Sequence, residues 1–255
     1  MTRDHMTSGH RGTGLAFKVA LAGGILAILA ALSMAGAGPA YRAGLLALGD
    51  AFSMLRYGAF VALGAAGLGV VGLVMAAFTR RALPALLGGL VILAGLVLVA
   101  VPWMQLQQAQ AVPPIHDITT DLQDPPAFEA LVAARKAAPN AVDYPGEATA
   151  RQQREAYPDI QPLVLDAPLP EVLAAAEAAA RDAGWEIAAV GDARLEATDT
   201  TTWFGFKDDV VVRLTETPDG VRVDMRSASR LGTSDVGTNA ARIRAFLSDL
   251  EQRLE

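Results

Sequence analysis

Two groups of side chains in this chain have the types and spacing to do chemistry. The first is His116, Asp117 and Asp121, joined further along by the adjacent pair Asp208-Asp209. A His-Asp dipeptide can belong to a metal-dependent phosphohydrolase, but such a centre needs further histidines. His116 is the only histidine beyond residue 10. What remains is a carboxylate site for a hard divalent cation, Mg²⁺ or Ca²⁺, as the one cofactor these residues would take. In the competing arrangement Asp117 and Asp121 make Asx turns while Thr119 and Thr120 satisfy backbone groups.

The second group is Arg226-Ser227-Ala228-Ser229-Arg230, which leads through Gly232, Thr233 and Ser234 to Asp235, with Asn239 and Arg242 close behind. Guanidiniums, hydroxyls and the open N–H groups of a helix start can converge on an anion such as a phosphate or carboxylate. Asp224, Asp235 or the Asp208-Asp209 pair could instead satisfy the arginines internally, with Asp235 capping the helix. Nucleophilic catalysis by Ser227, Ser229 or Ser234 is poorly supported, because the lone candidate base, His116, stands more than 100 positions upstream and nothing in the spacing brings it to them. Thr198, Thr200, Thr201 and Thr202 read as a β-rich strand. Trp203, Phe204 and Phe206 read as core or a hairpin plug, and would mark a partner-binding patch where exposed.

The elements that position these groups fall into two regimes. Residues 1–102 carry a formal +5 and residues 103–255 a formal −11, against −6 for all 255 residues. A domain at −11 without a broad basic patch is not a nucleic-acid binder. The absence of cysteine excludes disulfides, thiolate metal sites and Cys nucleophiles.

Val19–Gly38, Tyr57–Phe78 and Ala82–Met104 contain no charged side chain. Each is long enough to cross about 30 Å of hydrocarbon as a helix. The first is read as a retained span rather than a cleaved signal, since two more follow it. Small residues recur within the spans (Ala62, Ala65, Ala66, Gly69, Gly72, Gly88, Gly89), as in a packed bundle, and no ionisable group lies inside them to serve transport. Arg3, Arg11, Lys18, Arg80 and Arg81 lie on one side, and Arg42 and Arg56 on the other. The basic excess puts the N-terminus in the cytoplasm and the C-terminal domain outside, periplasmic in a bacterial inner membrane. The amphipathic stretch Tyr41–Arg56 either lies in the interface or extends the second span.

Residues 1–104 are thus read as a three-helix transmembrane anchor, 105–126 as an extended Pro/Gln-rich linker and 127–255 as a soluble domain. Within the last, a short helix and a loop flank the Pro145-Gly146 turn. Strands follow at Gln161–Asp166, Trp185–Val190, Arg194–Thr202, Asp209–Glu216 and Val221–Arg226, with a helix at Leu169–Ala183 and a final helix through Ile243, Phe246, Leu250 and Leu254. The fold class is α+β: a β-α-β-β-β-β-α domain whose antiparallel sheet carries helices on one face.

Three blocks of this sequence resemble the domain of unknown function 1499 family in its membrane-anchored bacterial form. They are Pro114-Ile115-His116-Asp117-Ile118-Thr119-Thr120-Asp121, then Phe204-Gly205-Phe206-Lys207-Asp208-Asp209-Val210-Val211-Val212-Arg213, then Val223 to Gly232 with Asp235, Gly237, Asn239, Ala240, Arg242 and Ile243. The resemblance covers about residues 114–250 and implies an α+β domain but no reaction. Shorter members carry a cysteine in the first block, where His116-Asp117 stands here, so no thiol role transfers.

The expected role is non-catalytic: binding an anionic lipid, a cell-wall ligand or a protein partner at the membrane surface. The expected anion ligands are Arg226, Ser227, Ser229, Arg230, Asp235, Asn239 and Arg242. The alternative is a hydrolase using His116 with Asp117, Asp121, Asp208 and Asp209. The lipid bilayer is the expected partner throughout, with a membrane protein or a second copy as further partners.

Overall fold

The computed structural model of this chain describes residues 8–255, with side chains from Gly14 onward, so Arg3 and the Arg11 side chain lie outside the described residues. The chain divides into two compact units after Gln107. The first is built from α1 (Ser8–Arg42), α2 (Leu48–Thr79) and α3 (Ala82–Ala111). All three are long and apolar enough to cross a membrane. Their large side chains face outward, as with Ile28, Leu32, Phe60 and Leu93, while alanine and glycine fill the contacts.

Glycine permits this packing where helices come closest. A Cβ on Gly69 would lie 2.9 Å from the Gly88 carbonyl oxygen, and one on Gly95 would lie 2.8 Å from that of Ala62. In hydrocarbon, such backbone approach supplies the dispersion contacts that hold helices together. The amphipathic stretch after Tyr41 resolves into a short turn and then α2, which begins at Leu48 and so extends the second span. Arg80 turns into the left-handed region at φ 51° and closes α2 with its N–H on the Ala77 carbonyl.

The expected linker is shorter than its composition implied. Gln105–Ala111 continues α3, because Gln, Leu and Ala sustain a helix until Pro113-Pro114 remove the next donors. The chain then joins the sheet as β1 (Asp117–Thr119). The second unit continues through α4 (Val132–Lys136), α5 (Glu147–Ala156), β2 (Leu163–Leu165), α6 (Leu169–Asp182), β3 (Glu186–Val190), β4 (Arg194–Thr200), β5 (Lys207–Thr217), β6 (Gly220–Ser229) and α7 (Thr238–Leu254). The predicted β-α-β-β-β-β-α order is β2 to α7; β1 and α5 are additions that the residue pattern did not mark.

All pairings are antiparallel, in the order β1-β6-β5-β4-β3, and β2 pairs β6 as well. β1 pairs Arg226–Ala228 and β2 pairs Val221–Val223, so the two short strands share one edge of the long β6. The open edge of β1 is closed by an amide. Buried Gln153 of α5 accepts the Thr119 N–H (3.1 Å) and donates to the Thr119 carbonyl (2.6 Å), standing in for a further strand.

Strand alternation assigns the two faces. Val210, Val212, Leu214, Val223, Met225, Leu195 and Ile118 form one core with Val172, Ala176 and Ala180 of α6 and Ile243, Phe246 and Leu250 of α7. Trp185 stacks on Phe246 at 5.2 Å between centroids. Two helices do cover this face. The other face is also covered, by Phe128, Leu131 and Val132 over Val211 and Ala228. Gly220 lets β6 pass the β2 strand: at φ 125°, an added Cβ would run into the Leu165 carbonyl oxygen.

Candidate functional site

Asp117, Ala228, Asp209 and Thr198 stand in one row across β1, β6, β5 and β4. Their side chains face the layer that carries α4, and there they organise three arginines. Arg226 forms a bidentate pair with Asp117, Nε to Oδ1 at 2.9 Å and Nη2 to Oδ2 at 2.7 Å. It also donates to the carbonyls of Pro126 and Val142. Arg135 donates to Asp209 (3.1 Å) and to the carbonyls of Ala228 and Ala141. Arg230 holds Asp209 from the opposite side, Nε at 2.9 Å and Nη2 at 2.7 Å, and Thr198 Oγ1 donates to the same carboxylate at 2.8 Å.

Phe128 supports the cluster with its π face: the Arg135 and Arg226 guanidiniums lie 4.7 and 4.8 Å from its ring centroid. Among the described residues four buried side-chain atoms have no hydrogen-bond partner, and two of them belong to this cluster, Arg135 Nε and the Tyr144 hydroxyl. Burial, followed by the nearby Asp117 charge, pushes the Tyr144 phenol well above its ordinary value, so it stays protonated. Burial pulls the Arg135 guanidinium below its usual value, opposed by Asp209 and Asp117.

The opposite face of the same sheet end holds a second network, centred on Arg242 of α7. Its Nε and Nη2 donate to Asp199 at 2.9 and 2.6 Å, Nη2 also to Asp208 at 2.7 Å, and Nη1 to Ser227 Oγ at 3.0 Å and to Asn239 Oδ1. All five donors of this guanidinium are therefore engaged. Ser227 Oγ donates to Asn239 Oδ1 at 2.7 Å, and Asn239 Nδ2 donates to Ser229 Oγ and the His116 carbonyl. Asp235 accepts the N–H groups of Gly237 (2.8 Å) and Asn239 (3.0 Å), capping the turn into α7. Burial raises the Asp235 carboxyl above the usual range despite these donors, and the charge of Asp208 adds to the rise.

The expected anion ligands are thus divided by the sheet. Arg226 and Arg230 lie on the α4 face, while Ser227, Ser229, Asn239 and Arg242 lie on the α7 face, because neighbouring strand residues point to opposite sides. Internal pairing is the arrangement found for Arg226, with Asp117, and for Arg230, with Asp209 of the Asp208-Asp209 pair weighed against anion binding; Arg242 pairs Asp199 and Asp208 in the same way. Asp224, one of the partners considered, instead holds Arg222 and Arg213.

The expected metal ligands do not assemble either. Asp208 and Asp209 face opposite sides, and Asp117 is taken by Arg226. Asp121 accepts the N–H groups of Gln123 and Asp124 and pairs Arg222 at 2.7 Å. For this carboxyl the upward push of burial is outweighed by those two amides and by Arg222 and Arg213, and it titrates below the usual range. The backbone carbonyl of His116 accepts from Ser229 and Asn239. Among the described residues no three His, Asp or Glu side chains are grouped to hold a metal ion.

Five participants went unmarked as site residues: Arg135, Phe128, Tyr144, Thr198 and Asp199. Arg135 sits in an Ala-rich run that carries no recognisable pattern, and only tertiary packing identifies it. A cleft of about 600 Å³ along α7, lined by Trp185, Phe246, Arg242 and Arg253, has its charges already paired: Arg242 with Asp199, and Arg253 with Asp182 and Asp249. No curated protein matches the chain. Residues 117–250, more than half of the sequence, match the family described as "Protein of unknown function (DUF1499)", and the chain belongs to that family.

Proposed function

We propose that this is a membrane-tethered recognition module that binds an anionic group, a phosphate or carboxylate of a lipid headgroup or cell-wall fragment, without chemistry on it. The observation that carries the reading is the unequal pairing within the ion cluster around Asp209 and Asp117. Three guanidiniums (Arg135, Arg226, Arg230) meet two buried carboxylates (Asp117, Asp209), and Arg230 is the only one of the three that reaches solvent, with 18 % of its side chain exposed. Its Nε and Nη2 are used by Asp209 and Thr198, while its Nη1 makes no hydrogen bond to the described residues. A further carboxylate whose charge acts on it is Glu186, on the exposed edge strand β3. A guanidinium held rigid by a buried acid, with one amino group presented, is pre-organised for an oxyanion.

Binding is favoured over hydrolysis by the hydroxyl geometry. Ser227 gives its proton to an amide oxygen rather than to a base, and so lacks the activation that a nucleophile needs. The basic residues flanking the spans support a cytoplasmic N-terminus and a periplasmic domain. A membrane protein partner or a second copy would be held through the spans.

The test is isothermal titration of the full chain in zwitterionic micelles with glycerol phosphate. The Arg230→Gln chain should lose at least about tenfold in affinity, roughly 1.4 kcal/mol. An Arg253→Gln control, at an exposed pair, should bind as the parent does. Equal affinity in all three would overturn the assignment.

A further inference from the structure

The β4–β5 turn is an aromatic loop closed by its own hydrogen bonds. Thr201 N–H donates to the Phe206 carbonyl at 2.9 Å, Gly205 N–H to the Thr201 carbonyl at 2.9 Å, and Phe206 N–H to Thr201 Oγ1 at 2.9 Å. Gly205 adopts φ 70°, which this tight reversal requires. Phe204 is buried and stacks on Phe206 with centroids 5.1 Å apart, while Trp203 packs edge-on against Phe204 at 5.0 Å. Trp203 is nevertheless 42 % exposed, the one exposed aromatic side chain in residues 108–255. Lys207 follows directly and is exposed.

The register fixes where this turn stands relative to the point at which the chain joins the sheet. Asp117, the first residue of β1, lies in the same row as Thr198 and Asp209, and the turn begins just beyond Thr200 and Lys207. Three strand spacings of about 4.8 Å and a few residues along the strand separate the two, about 15–20 Å. The β5–β6 turn at Pro218-Asp219 lies at the other end of the sheet, about 30 Å from that row.

The tether is short. Beyond Trp103, Met104–Ala111 adds about 12 Å of helix and Val112–His116 at most about 18 Å of extended chain. This chain length is the upper bound on how far Asp117, where the chain joins the sheet, can lie from Trp103. Indole rings followed by lysine are the side-chain chemistry that partitions to the headgroup boundary.

We propose that the Trp203-Phe204-Gly205-Phe206 turn seats the domain on the bilayer by placing the Trp203 indole in the headgroup interface, with Lys207 toward the phosphates. The partner is the lipid surface itself, and the proposal does not depend on Arg230. It orients the sheet with its β1 end toward the membrane and the Pro218-Asp219 turn away from it.

The experiment uses the full chain in phosphatidylcholine nanodiscs, free of anionic lipid so that failure here is separable from failure at Arg230. A Trp103→Phe, Trp185→Phe chain leaves Trp203 as the sole indole. Lipids brominated near the headgroup should quench its emission several-fold more strongly than they quench a matched chain with Trp203→Phe and Asp219→Trp. Because the parent has no cysteine, Asp219→Cys and Lys207→Cys labelled with a polarity-sensitive dye supply a second reading, in which only position 207 should blue-shift on reconstitution. Equal, weak quenching at positions 203 and 219 would overturn the proposal. So would a blue-shifted Trp203 that bromolipid leaves untouched but that reddens when discs hold one chain instead of two, since a second copy would then cover it.

Discussion

The Asp209 ion cluster gives an asymmetric prediction, because the same contact can be cut from either side. In the Asp209→Asn chain, Arg135 and Arg230 lose their shared carboxylate, leaving three guanidiniums against Asp117 alone. Asp209 is fully buried and accepts from Arg135, Arg230 and Thr198. Uncompensated charge of this kind costs about 3–5 kcal/mol. In the Arg230→Gln chain, two guanidiniums face two carboxylates and the removed group was already partly hydrated, so the loss should be about 1 kcal/mol or less. The assay is urea unfolding of the full chain in micelles, followed through Trp185 in a Trp103→Phe, Trp203→Phe background. With a slope of about 2 kcal/mol per molar, Asp209→Asn should lower the midpoint by about 2 M and Arg230→Gln by about 0.5 M or less. Equal losses, or a larger loss from Arg230→Gln, would refute the unequal pairing on which the proposed function stands.

Other perturbations test the remaining elements. The Asp235 carboxyl is raised in the folded state, so its linkage stabilises most at pH below the unfolded value near 4 and fades as pH rises through the folded value. Asp235→Asn keeps an acceptor and removes that pH-dependent part, whereas Asp235→Ala should cost about 1 kcal/mol at any pH; amide exchange across Gly237–Ala241 reads both. Gln153→Ala leaves the Thr119 N–H and carbonyl unpaired and should cost about 1–3 kcal/mol, with exchange accelerated first in β1. Gly69→Leu places a side chain where a Cβ already meets the Gly88 oxygen at 2.9 Å, and should lower the thermal midpoint of the helical signal in micelles.

The sequence displayed the parts of this fold whose periodicity reports burial. Three uninterrupted apolar spans, the alternating Val210, Val212, Leu214 and Val221, Val223, Met225, and the Pro218-Asp219-Gly220 turn all lead to the observed elements. β1 escaped because Asp117 and Thr119 are polar residues that are buried; their burial depends on Arg226 and Gln153, far away in sequence. The α4 layer escaped for a related reason, since Arg135 and Phe128 are ordinary residues until each meets the other.

The motif around Arg226–Arg230 marked the chemically dense end of the sheet but misassigned its geometry. Strand alternation sends its arginines and serines to opposite faces, a consequence of period two that requires knowing which residues lie in β6. The Asp208-Asp209 pair shows the same effect. A pair that looks like a bidentate cation site serves three arginines, Arg242 on one side and Arg135 with Arg230 on the other.

The most direct measurement is native mass spectrometry of the full chain released from nanodiscs containing equal zwitterionic and anionic phospholipid. An anionic lipid should remain bound to the parent and be lost from Arg230→Gln while the fold, by far-ultraviolet circular dichroism, is unchanged. Retention of the same lipid by both chains would contradict the account.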